Sequence, residues 1–278
     1  MGGMKLLNGS ELAGYIKERQ AKQVRSLRQS WRVLPKLAII SDSENPVSEL
    51  YLKLKQQYGE DILVEVEIYR IAPEDIVRQI ESLNLDDEVH GIIVQLPLSD
   101  TSKTDEIINM VNPLKDVDGL GDSSKFIPAT AMAIDWLLTG YNIDLNDKKI
   151  AIIGEGRLVG APLAKLWRGN GLDIATYNST TVDLGDKIRQ ADIIVSAVGV
   201  PGLVKSDMTS EGAVVVDAGT ASEGGAIVGD VDDSVRNRDD LTITPKKGGV
   251  GPLTVAALFD NVIVAARKVA DSKGQQDI

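Results

Sequence analysis

The sequence predicts an α/β protein in two parts, the second a Rossmann-like doubly wound parallel sheet. Three observations carry this. Short apolar runs alternate with amphipathic segments along the chain, the pattern of a mainly parallel sheet covered on both faces. That series restarts after an irregular stretch at 113–128, where Pro113, Gly119, Gly121 and Pro128 sit among charged residues. With 278 residues and 43% hydrophobic content, the chain can build two modest cores more readily than one.

Taken in order, a helix is predicted over 9–27 and an apolar strand over 34–41. Residues 46–58 read as a helix stopped by Gly59, a residue suited to the left-handed conformation past a helix end. A strand follows at 63–69, a helix at 73–83 and a buried strand at 91–95, with His90, the sole histidine, as a strand-start residue. Beyond the irregular stretch come a helix at 131–139, a strand at 149–153, a helix at 160–169, a strand at 173–177, a helix at 182–190 and strands at 193–198 and 213–217. This βαβαβ-like run is the signature of a nucleotide-binding sheet. A last helix over 252–270 follows the glycine-rich KKGGVGP.

Composition narrows the function classes. A net charge of −11 argues against a nucleic-acid surface, which needs basic patches, but leaves room for a small anionic ligand in a locally favourable pocket. There is no cysteine, hence no disulfide and no thiolate metal site, which fits a reducing cytoplasm. The N-terminus, MGGMKLLNG, lacks the apolar stretch of a signal peptide, and no apolar run approaches the roughly 18 residues of a membrane span.

The segment GEGRLVGAP at 154–162 follows the apolar run 149–153. Gly154 allows a sharp turn, Gly156 a close backbone approach to phosphate, and Gly160 close packing of the following helix, whose N-terminus favours an anion. The spacing is one residue longer than the standard dinucleotide fingerprint, and by itself it equally suits a tight turn with no ligand. Glu155 puts a negative charge into this loop. The two are compatible if its side chain points out of the turn and Arg157 offsets it; alternatively Arg157 reaches a phosphate itself. The end of the second strand reads Tyr177-Asn178-Ser179-Thr180, with no carboxylate for a ribose 2′-hydroxyl, which favours NADP over NAD.

The motifs YLKLK at 51–55, VQLPL at 94–98, KDVDG at 115–119, G-x-x-x-x-V-G-x-P at 154–162 and GGVGPLT at 248–254 occur in this order. Together they resemble the bifunctional methylenetetrahydrofolate dehydrogenase/methenyltetrahydrofolate cyclohydrolase family, as a divergent member, over about residues 5 to 270. The resemblance implies two domains around a cleft, a cytoplasmic homodimer, NADP (or NAD) in the second domain and tetrahydrofolate one-carbon derivatives as substrates, with no nucleic-acid or membrane partner and no metal. It places the folate-binding catalytic domain at 1–138 plus 255–278 and the NADP-binding domain at 139–254. Two other readings are a cyclohydrolase with weak or absent cofactor use and a silent folate- or nucleotide-binding protein.

Tyr51 and Lys55, four residues apart, share a helical face that Lys53 does not. By resemblance Tyr51 stacks on the folate, Lys55 is the acid/base group of the hydrolysis, and Gln95 bonds both Lys55 and a reacting oxygen. Asp118 reads the pterin N–H groups, whereas Asp116 stabilises the loop. Gly251 and Pro252 border the substrate. The cofactor is assigned to Gly154, Glu155, Gly156, Arg157, Val159, Gly160, Asn178, Ser179, Gly199 and Thr220. The chain departs from the family pattern at 129–133, at Glu155-Gly156, at Tyr177-Asn178 and at Lys246-Lys247.

Overall fold

A computed structural model describes residues 4–43, 46–223 and 226–276. In chain order the elements are β1 (Lys5–Leu6), α1 (Gly9–Ser30), β2 (Lys36–Ser41), α2 (Pro46–Ile62), β3 (Glu65–Arg70), α3 (Ile76–Leu85), β4 (Gly91–Val94), α4 (Thr104–Asn109) and α5 (Ala129–Gly140). They continue with β5 (Ile150–Ile153), α6 (Gly160–Gly169), β6 (Ile174–Tyr177), α7 (Leu184–Ile188), β7 (Ile193–Ser196), β8 (Val214–Asp217), β9 (Ala221–Glu223), β10 (Ala226–Val228), α8 (Asp233–Arg236), β11 (Thr242–Ile243) and α9 (Val250–Gln276).

The chain forms two compact units. One holds Gly14–Ala129 and the chain from Val255; the other holds the chain up to Ala13 and Thr130–Thr254. The first carries a three-stranded parallel sheet, β3-β2-β4, whose buried Ala38, Ile40, Ile92 and Val94 pack with Ile76, Ile80 and Leu83 of α3. The second carries a six-stranded sheet, β1-β11-β8-β7-β5-β6, with every pair parallel. Its strands bury apolar residues throughout β5 and β7, as a sheet covered on both faces requires. The hairpin β9–β10 is antiparallel.

Three sequence expectations change. Residues 4–13 and 130–138 were expected with the folate domain but pack in the six-stranded unit. β1 extends that sheet beside β11, with Leu7 N–H donating to the Ile243 carbonyl (2.9 Å), and the Trp167 indole of α6 donates to Asp135 of α5 (2.8 Å). A two-residue strand leaves no periodic trace in the sequence. Second, Gly59 does not stop α2. The helix runs on to Ile62, Leu63 takes the left-handed position (φ 66°), and Val64 N–H closes the end on the Gly59 carbonyl (2.9 Å). Gly59 is there for contact: a Cβ on it would lie 2.4 Å from Val66 Cγ2.

Third, α9 over Val250–Ser272 is long and apolar enough to cross a membrane by length and composition, with a mean hydropathy of 1.4. Asp260 and Asn261 interrupt it in sequence, so it does not read as one apolar run. It is a core helix, with 67% of its most apolar stretch buried. Phe259 stacks on Tyr58 of α2 with centroids 5.0 Å apart, and Gln20 of α1 donates to the Ala256 carbonyl (2.8 Å) while accepting from the Tyr58 hydroxyl (2.8 Å).

Candidate functional site

In the three-stranded unit, α2 buries Leu52 and exposes Lys53, which leaves Tyr51 and Lys55 together on a half-buried face. β4 ends at Val94, and Gln95 N–H still donates to the Ile40 carbonyl of β2 (2.8 Å), so its side chain leaves a fixed strand end. Lys55 Nζ donates to Gln95 Oε1 (2.9 Å), while Gln95 Nε2 donates to the Leu96 carbonyl (3.0 Å). The second bond fixes which end of the amide faces the lysine.

Burial of the ammonium lowers the Lys55 pKa, and the nearby Asp118 charge partly opposes this. Burial raises Asp118, against the pull of Lys55, and Asp116 adds to the rise. A lysine destabilised as a cation exchanges protons closer to neutrality than a free one. Tyr51 is raised by burial and remains a neutral phenol.

The loop carrying Asp118 is organised by its neighbour. Asp116, 5% exposed, accepts from Gly119 N–H (3.1 Å) and Gly121 N–H (2.9 Å). Asn261 of α9 pins the same loop by donating to the carbonyls of Val117 (2.8 Å) and Ile127 (3.0 Å). Sequence reasoning did not find Asn261, since nothing local marks a helix amide as the partner of a loop 144 residues away. His90 is buried, its Nδ1 accepting from Lys36 N–H (3.3 Å).

In the six-stranded unit, β5 stands between β6 and β7, so the connections change direction at its carboxyl end, where open α/β sheets bind ligands. Gly154 (φ 101°) turns off β5, and a Cβ at Gly160 would lie 1.8 Å from the Gly154 carbonyl, so the start of α6 abuts the turn. A Cβ at Gly156 would meet nothing within 4 Å. Val159 precedes the first turn of α6. This is a glycine cradle with open space at a helix N-terminus, and it fits a dinucleotide pyrophosphate.

The Glu155 side chain leaves the turn, and its partners are at the end of the next strand. Its carboxylate reaches sideways to the end of β6, accepting from Thr176 Oγ1 (2.8 Å) and Asn178 Nδ2 (2.6 Å). These bonds, Asn178 first, hold its pKa below the usual carboxylate value, with a smaller contribution from the charge of Arg168. Arg157 and Ser179 are exposed.

Gly199 (φ 75°) and Thr220 come together after β7 and β8: a Cβ on Gly199 would lie 3.4 Å from the Thr220 carbonyl. Two acids whose side chains had no role assigned from the sequence build these turns. Asp230, fully buried, accepts from Ser196 Oγ, Val198 N–H and Val200 N–H, each at 2.8 Å. Asp217 accepts from Asp230 N–H (2.9 Å), Val231 N–H (3.1 Å) and Arg236 Nη2 (2.6 Å). Gly251 and Pro252 lie in the first turn of α9, in this same unit.

Residues 7–118 match the family described as tetrahydrofolate dehydrogenase/cyclohydrolase, catalytic domain, and residues 128–270 match the NAD(P)-binding domain of that family. The chain is 37% identical over 276 residues to the bifunctional protein FolD of Lactobacillus delbrueckii subsp. bulgaricus, covering 95% of this chain and 97% of that one. The crystal structure of the bifunctional FolD methylenetetrahydrofolate dehydrogenase/cyclohydrolase from Campylobacter jejuni superposes with a TM-score of 0.90 at 37% identity, over 95% of this chain and 99% of the other. The Trypanosoma brucei methylenetetrahydrofolate dehydrogenase-cyclohydrolase, solved with NADP cofactor and inhibitor, gives a TM-score of 0.90 at 28% identity, over 96% and 99%.

Proposed function

The chain belongs to the tetrahydrofolate dehydrogenase/cyclohydrolase family, and from that premise we propose how its residues share the work. It oxidises 5,10-methylenetetrahydrofolate to 5,10-methenyltetrahydrofolate with NADP and hydrolyses the product to 10-formyltetrahydrofolate. NADP, when bound, would supply the hydride acceptor for the one-carbon bridge. The protein's part in that step is alignment, because a one-carbon bridge and a nicotinamide react only when held in contact. Gly154, Gly156 and Gly160 would hold the pyrophosphate, and Gly199 and Thr220 the nicotinamide end. Asp230 and Asp217 keep those last two turns in one conformation.

In the hydrolysis a water adds to the methenyl carbon and loses a proton, N5 takes up a proton as its bond to that carbon breaks, and the remaining hydroxyl loses its proton to leave the formyl group, so that one proton is released overall. Lys55, with its depressed pKa, can exchange these protons. Gln95 holds the amine in place through its carbonyl oxygen. Tyr51 offers a neutral ring face to the pteridine, and Asp118 an acceptor to its N–H groups. The observation that carries this reading is the Lys55–Gln95 bond in a setting that disfavours the lysine's charge.

The intact route also implies a cytoplasmic homodimer acting on tetrahydrofolate derivatives. The cysteine-free composition and the family likeness support this, and light scattering after gel filtration tests the dimer. For the chemistry, absorbance is followed in one cuvette with methylenetetrahydrofolate and NADP. Methenyl absorbance should rise and then decay. Decay of added methenyltetrahydrofolate with no rise driven by NADP or, in a separate run, by NAD would leave only a cyclohydrolase.

A further inference from the structure

The second strand of the dinucleotide-binding sheet lacks the carboxylate that, in NAD sites, accepts from the ribose 2′-hydroxyl. The structure supplies one from elsewhere. Ile153 of β5 is in register with Tyr177 of β6, and Gly154 N–H donates to the Tyr177 carbonyl (2.7 Å), so the glycine turn leaves β5 directly beside the end of β6. From there Glu155 lays its carboxylate on Thr176 Oγ1 (2.8 Å) and Asn178 Nδ2 (2.6 Å), one bond to each oxygen.

We propose that Glu155 reads the adenosine ribose, accepting from the 2′-hydroxyl of NAD and opposing the 2′-phosphate of NADP, so that NAD serves this enzyme at least as well as NADP. This rests on the dehydrogenase reading above. An ionised carboxylate has about four acceptor positions. Thr176 and Asn178 use two of them, which leaves capacity for a ribose hydroxyl and fixes the group in place for it. Those same bonds keep it ionised at neutral pH. A phosphomonoester at that hydroxyl would bring close to two negative charges against it.

A competing feature lies beside it. Lys165 and Arg168 line the same hollow as Glu155, Ala161, Ala164 and Thr176. Cations there are what a 2′-phosphate would seek. The Arg168 guanidinium, however, donates to the Ile174 carbonyl (3.1 Å) and acts electrostatically on Glu155, so its charge is already partly answered.

Fluorescence titration of NADH and NADPH against the parent, Glu155→Gln and Glu155→Ser separates the cases, with kcat/KM for NAD and NADP measured alongside. Glu155→Gln keeps the length and an acceptor oxygen and removes the charge. The parent should bind NADH at least as tightly as NADPH. Both variants should bind NADPH at least tenfold tighter than the parent does, with NADH unchanged or weaker, and the gain should shrink as salt rises. Parent binding that favours NADPH by tenfold or more, or variants with the parent's NADPH affinity, would overturn the proposal while leaving the dehydrogenase reading standing. No binding of either nucleotide by the parent would overturn both.

Discussion

An ammonium held out of water costs stability for as long as it stays charged, and Lys55 is such a group. Its folded pKa lies below its unfolded one. Between the two the unfolded chain binds more protons, so stability rises with pH across that window, and below the folded pKa the cost is complete. Lys55→Met should therefore abolish methenyltetrahydrofolate hydrolysis and, at neutral pH, leave the protein at least as stable as the parent in urea. Hydrolysis at the parent rate would remove Lys55 from the mechanism. Asp118→Ala should weaken tetrahydrofolate binding by about 1.5–3 kcal/mol, the usual worth of hydrogen bonds to a charged group, with NADPH binding unchanged by calorimetry. Equal losses for both ligands would indicate a folding defect. Because Asp118 holds the Lys55 pKa up, Asp118→Asn should shift the acid limb of the hydrolysis profile to lower pH. Local pattern placed Lys55 on a helix face with Tyr51 and Gln95 at a strand end, whereas their pairing was legible only through the family resemblance. Glu155 was legible as a charge in a loop but not as a ligand of Thr176 and Asn178, 21 and 23 residues on, because only strand pairing brings those side chains beside it.

Within the elements, glycine separates what a sequence can tell from what it cannot. Gly14 and Gly59 both sit inside long helices and look alike as weak points. Gly14 is exposed, and a Cβ there would meet nothing within 4 Å. Gly14→Ala should gain about 0.5–1 kcal/mol from backbone entropy alone. Gly59 is buried, and its Cβ would press on Val66 Cγ2 at 2.4 Å and on the Val64 carbonyl at 2.9 Å. There the same helical gain is set against an overpacking cost of about 1–3 kcal/mol, so Gly59→Ala should destabilise. Urea midpoints of the two variants should move in opposite directions; a stabilised Gly59→Ala would mean that β3 gives way at no cost. Strands β5 to β8 were readable as apolar runs between helices. β1 and β11, two residues each, were not, since they exist only by pairing with each other and with β8.

At the scale of the molecule, each unit has its own sheet and its own apolar cluster, Ile40, Ile80 and Ile92 in one, Ile153, Ile194 and Val215 in the other. The boundary at Thr254 was anticipated, but those at Ala13 and Ala129 were not, because the chain changes units there inside or beside helices rather than through a polar linker. Such units open as separate cooperative bodies when few contacts couple them, and a ligand that binds one stabilises that one by mass action. NADPH at 100 times its dissociation constant should thus raise the opening free energy of its unit by up to about 2.7 kcal/mol. In amide hydrogen exchange, NADPH should slow 150–160, 193–200 and 214–220 by up to about 100-fold, and leave 36–41 and 91–95 at their free rates. Tetrahydrofolate should do the reverse, protecting 50–62 and 115–121 first. If NADPH slows β2 and β4 as much as β5 and β7, the two units unfold as one, and each ligand then raises the stability of the site that holds the other.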